Sequence, residues 1–108
     1  MPIAEGNIRH TASGRLNASF NVSGSTYHFS GAFVSGIQSF NTNNAKVTYT
    51  NVRDLTNTRT FSGNIGPDKI NLIFQNGPVV SGDLDFPIYP GASVSGHGSW
   101  NQGFDDSD

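Results

Sequence analysis

The chain has 108 residues, which is one domain with a single core that removes about two thirds of its unfolded surface from water. Charged residues make up 13% and hydrophobic residues 34%, so polarity rests on Ser, Thr and Asn, while an aromatic content of 11% argues against disorder. The net charge is −2 and the six basic residues are scattered, which excludes a basic stripe for nucleic acid. The absence of cysteine excludes a disulfide framework or a thiolate site.

In chain order, the opening "MPIAEGNIRH" has no apolar run of the kind that marks a signal peptide. Cytoplasmic synthesis is the expectation, with non-classical release as the route to any outward role. No stretch reaches the length of a membrane helix. The glycosylation patterns at Asn17-Ala-Ser19 and Asn21-Val-Ser23 read as chance in an Asn/Ser-rich strand.

Helical periodicity is nearly absent and alternation replaces it. A first strand is expected around Asn7–Ala12. "GRLNASFNVSG" places Leu16, Ala18, Phe20 and Val22 on one face and Arg15, Asn17, Ser19 and Asn21 on the other. "STYHFSGAF" aligns Tyr27, Phe29, Gly31 and Phe33 against His28, Ser30 and Ala32. A short strand around Ile37–Phe40, the turn "NTNN" at Asn41–Asn44 and the strand "AKVTYTNV" follow. "TRTFSGNI" aligns Phe61, Gly63 and Ile65. "KINLIFQ" aligns Ile70, Leu72 and Phe74, with Ile73 opposite as if both faces were covered. "VVSGDLDF" aligns Val80, Gly82, Leu84 and Phe86 against Asp83 and Asp85. "ASVSGHGSW" aligns Val94, Gly96, Gly98 and Trp100 against Ser95, His97 and Ser99. Turn signals at Gly66–Lys69, Asn76–Pro78 and Pro87–Gly91 separate these runs.

The expected fold is all-β: a small antiparallel β-sandwich or closed barrel of about eight to nine short strands, spanning 1–104 as a single β-domain, with an acidic, frayed tail at 105–108.

An apolar-Ser-Gly triplet occurs seven times, ending at Gly14, Gly24, Gly31, Gly36, Gly63, Gly82 and Gly96. Alternation puts these glycines on the face chosen by the large apolar residues. A strand glycine costs about 0.5–1 kcal/mol relative to alanine, so something must offset it. Two reasons fit: room for a ring from a neighbouring strand, or a sharp bend where a sheet coils. Thr26-x-x-Phe29-Ser30-Gly31-x-Phe33 echoes Thr58-x-x-Phe61-Ser62-Gly63-x-Ile65 at an offset of 32. Either a duplicated hairpin or repeated use of one local solution explains it.

Chemistry is sparse. His10, His28 and His97 form no short-spaced metal pair, and no nucleophile elbow or phosphate loop occurs. Asp83 and Asp85 fall on one strand face, about 7 Å apart. No catalytic residue, cofactor or metal site is expected.

The segment "DFPIYPGASVSGHGSW" stands out, because its prolines break the ladder and should project Ile88 and Tyr89 on a stiff loop. Trp100 is expected to end a strand with its ring at one end of the fold. The leading expectation is a non-enzymatic, lectin-like module that recognises a glycan or cell-surface ligand through Trp100, Tyr89, His97, Asp83, Asp85 and Asn101. Homo-oligomerisation would supply avidity. The alternatives are a membrane-active or pore-forming toxin-like β-protein, a barrel for a small apolar ligand, and a self-assembling structural protein.

Overall fold

The computed structural model describes residues 3–11, 14–22, 24–34, 39–89 and 91–103. Eight strands run in chain order: β1 (Ile3–His10), β2 (Arg15–Val22), β3 (Ser25–Phe33), β4 (Phe40–Thr48), β5 (Asn57–Ile65), β6 (Lys69–Phe74), β7 (Val79–Asp83) and β8 (Ala92–Gly103). Every neighbouring pair is antiparallel, and the order β1-β2-β3-β8-β5-β6-β7-β4 closes on itself through the β1–β4 pairing. The fold is therefore a closed barrel and not a sandwich, and it has no open sheet edge.

Each half of the chain is a three-stranded meander whose fourth strand returns beside the first, giving β4-β1-β2-β3 and β8-β5-β6-β7. That is a pair of Greek keys joined edge to edge. The odd-numbered strands all run one way. The β3–β4 and β7–β8 crossovers therefore leave from the same end, here called the upper end, while β4 crosses to β5 at the lower end.

The alternation in β2 and β3 holds: Leu16, Ala18, Phe20, Val22 and Phe29 are buried, while Arg15, Asn17, Asn21 and His28 are exposed. Phe29, Phe61, Phe74 and Trp100 meet in the core, with Phe29–Phe74 centroids 4.9 Å apart at 86° and Phe29–Trp100 centroids 5.0 Å apart. Burying one such ring is worth roughly 1.5–3 kcal/mol. An edge-to-face pair adds about 0.5–1.5 kcal/mol. At the upper end His10 lies between Phe33 and Phe40, with ring centroids at 5.0 and 5.3 Å. At the lower end Leu55, from the β4–β5 crossing, is fully buried.

The glycines of the triplets divide into two groups. Gly31, Gly63, Gly82 and Gly96 lie inside strands, where a Cβ would strike a neighbouring strand: the carbonyl oxygens of His97, Asn71, Asn44 and Ala32 respectively. At Gly96 it would also stand 2.8 Å from Phe61 Cζ. Close approach of a neighbouring backbone therefore operates at all four, and the expected room for a ring at Gly96, under Phe61. Gly14 and Gly24 are different. They sit in the β1–β2 and β2–β3 hairpin turns at φ +90 and +88, with open space around them. Only the backbone conformation calls for glycine there. Gly36 lies outside the described residues, as do Ile37 of the expected short strand and the tail 105–108.

The sequence echo between β3 and β5 does not relate equivalent strands of the two Greek keys. Both strands flank β8, and Phe29 and Phe61 cover its Gly98 and Gly96. The echo is one local solution used on both sides of a shared neighbour.

Other expectations are corrected. The Asn41–Asn44 run is not a turn but the start of β4. The first strand begins at Ile3 and ends at His10. Ile73 is 50% exposed, so β6 is covered on one face only.

Candidate functional site

The β7–β8 crossover builds the most distinctive surface. Alternation along β7 stops at Asp83, because the chain leaves the ladder for Pro87. Three backbone hydrogen bonds then pin the crossover: Leu84 N–H to Asp68 O at 2.7 Å, Asp85 N–H to Asn41 O at 3.0 Å, and Ile88 N–H to Pro67 O at 2.9 Å. Ile88 turns inward and is buried. Its neighbours Phe86 and Tyr89 turn outward, 76% and 66% exposed. A pinned loop thus holds two aromatic rings in water.

Beside Phe86 the polar groups converge. Asp85 accepts from the Asn43 backbone N–H at 3.2 Å and from Asn43 Nδ2 at 2.9 Å. Asn41 and Arg9 are cross-strand partners on β4 and β1. Asn7, Arg9, Asn41, Asn43 and Asp85 line a groove of about 220 Å³. A second groove of about 240 Å³, with Phe86, Pro87 and Phe40 in its wall, shares Asn41 with the first. The exposed Phe86 ring thus lines one groove, the amides, the Arg9 guanidinium and the Asp85 carboxylate line the other, and Asn41 is common to both.

The residues singled out from the sequence do not gather in one place. Asp85 and Tyr89 lie on this crossover. Asp83 lies on β7 and pairs with Lys69 at 3.3 Å in a separate open groove. Asp83 and Asp85 therefore do not form a carboxylate pair, since the strand ends between them. Among the described residues no group of His, Asp and Glu side chains is placed to hold a metal ion. His97 and Asn101 face outward from β8.

Trp100 requires a correction. It is 3% exposed, and β8 continues past it to Gly103, so its ring belongs to the core and offers no stacking face. Its Nε1 has no hydrogen-bond partner among the described residues, consistent with a position chosen for packing.

Phe86, Asn41, Asn43, Asn7 and Arg9 were not picked out by sequence. Phe86 continued the inward alternation of β7, and the asparagines read as a turn. The signal for Phe86 was the proline that follows it, which removes a ladder donor and ends the alternation.

Comparison of the chain with protein-family models, with curated proteins and with solved structures gives no match.

Proposed function

We propose that the protein is a non-enzymatic carbohydrate-binding module whose sugar site is the upper rim formed by Phe86, Asp85, Asn43 and Asn41. The observation that carries this reading is the Asp85 carboxylate, held by two hydrogen bonds from Asn43, next to a phenylalanine ring 76% exposed on a pinned loop. An exposed ring of this kind stacks on the C–H face of a pyranose. Carboxylate and amide groups supply the acceptors and donors that match vicinal hydroxyls. Because the loop is tied down before binding, little ordering entropy remains to be lost. Grooves this open give weak single sites, so useful affinity would come from several copies acting together.

The test is a glycan array probed with the wild-type protein, Phe86→Ala and Asp85→Ala. The reading expects a defined subset of glycans to bind wild type and both variants to lose them. No retained glycan, or equal binding by Phe86→Ala, contradicts it.

One observation favours a second reading. Val34 on the β3–β4 crossover is 76% exposed at the same end as Phe86 and Tyr89. Aromatic and aliphatic tips at one end suit insertion into a membrane interface. Liposome co-sedimentation that is lost in Phe86→Ala, without glycan binding, would favour that reading.

A further inference from the structure

We propose that the outer face of β2, β3 and β8 carries an anion-binding slot between Arg15 and His97 that takes a carboxylate, sulfate or phosphate group. The slot is independent of the Phe86 rim and does not rest on the carbohydrate reading.

Register places the two side chains. Arg15 on β2 is paired with Ala32 on β3, and Ala32 is paired with His97 on β8. The three form one lateral row, with the Arg15 and His97 backbones about 10 Å apart, two strand spacings. Between them stands only the methyl of Ala32. The result is a groove of about 250 Å³ whose walls are Arg15 and His97 and whose rim carries Ser30 and Ser99.

Charge distribution gives the slot its sign. The four adjacent strands β2, β3, β8 and β5 contain no Asp or Glu. The described acids lie elsewhere: Glu5 on β1, Asp54 in the lower crossing, and Asp68, Asp83 and Asp85 at the upper end. In a chain of net charge −2, half of the barrel wall is left without negative charge. Among the described residues neither Arg15 nor His97 has an acidic partner.

Donor chemistry fits an oxyanion. The guanidinium offers a planar fork that matches two oxygens of a carboxylate or phosphate. The imidazole offers a ring N–H in either tautomer. The rim hydroxyls are held in place, Ser30 Oγ donating to Asn17 Oδ1 at 3.2 Å and Ser99 Oγ sharing a hydrogen bond with Thr58 Oγ1 at 3.0 Å. They can accept or donate at the edge of the slot without closing it.

The experiment is an amide and Arg-Nε NMR titration with sodium phosphate, sodium sulfate, sodium acetate and sodium chloride at constant ionic strength. Glucuronate and glucose form a second pair of arms. Saturable shifts confined to Arg15, Ala32, His97 and Ser99 are expected with the oxyanions and absent with chloride. Arg15→Gln and His97→Gln, both at exposed positions, should each weaken binding at least 5-fold, while Phe86→Ala leaves it unchanged. Phosphate or sulfate binding without preference for glucuronate over acetate assigns the slot to free oxyanions. Tighter binding of glucuronate than of acetate or glucose assigns it to acidic sugars. Shifts that match those of chloride, or that survive in Arg15→Gln, overturn the proposal.

Discussion

Asn43 holds Asp85 with both its backbone N–H, at 3.2 Å, and its side-chain Nδ2, at 2.9 Å, so the β7–β8 crossover is tied to β4 at the point where the sugar site is proposed. Replacing Asn43 by alanine keeps the backbone bond and removes the side-chain one. The bond is exposed, so the loss in stability is about 0.5–1 kcal/mol. Sugar affinity should fall more steeply, about tenfold, because the carboxylate is no longer aimed and an amide donor is gone. Urea denaturation and a titration with an array-identified glycan measure the two separately. Equal affinity in Asn43→Ala would remove this pair from the site.

Gly98 and Gly24 separate the two uses of glycine. A Cβ at Gly98 would stand 2.6 Å from Phe29 Cζ and 2.7 Å from the Gly31 Cα, so Gly98→Ala forces the β3–β8 contact open. The cost is about 1–3 kcal/mol, the range for overpacking a filled core. Gly24 has nothing within 4 Å and needs only its positive φ. Asparagine tolerates that conformation, so Gly24→Asn costs less than about 1 kcal/mol. Urea midpoints at unchanged slope report both values. Similar losses in the two variants would mean that the strand glycines are not there for space.

Thr42 faces the core from β4, fully buried, and its hydroxyl has no hydrogen-bond partner among the described residues. Its methyl packs toward Gly82, where a Cβ would stand 2.9 Å from Thr42 Cγ2. Thr42→Val keeps the shape and deletes the desolvated hydroxyl. It should stabilise the barrel by about 1 kcal/mol. A lower urea midpoint in Thr42→Val would show that the hydroxyl is bonded.

Much of the barrel was legible because its strands alternate without interruption. From Leu16 to Val22 every second residue is buried, so one face declares itself. The same holds for Ile70, Leu72 and Phe74. The misreading at Asn41–Asn44 has a local cause. Gly6 pairs with Ala45 and Ile8 with Thr42, so β4 spends three steps against two of β1. The bulge exposes Asn43 and Asn44 in succession and breaks the period of two on which the reading depends. The triplets at Gly14 and Gly24 resemble those at Gly31 and Gly63 in sequence, because the triplet does not encode whether the next residues continue a strand or reverse it. Closure was not legible either. It rests on the pairing of β1 with β4, which are separated along the chain by two strands.

The candidate site was partly legible. The prolines after Asp85 marked the loop, and Asp85 and Tyr89 lie on it. Phe86 was lost because alternation was carried three residues past Asp83, the end of β7. Trp100 was placed at the rim because alternation fixes the face of a residue and not its height along the barrel; its ring meets Phe74 with centroids 5.4 Å apart.

The most direct measurement is an amide shift map of the protein titrated with an array-positive neutral glycan. The account predicts saturable changes at Asn41, Asn43, Asp85 and Phe86, with Trp100 Nε1 unmoved. Changes centred on other strands, or no saturable change with any glycan of a broad neutral panel, would contradict it.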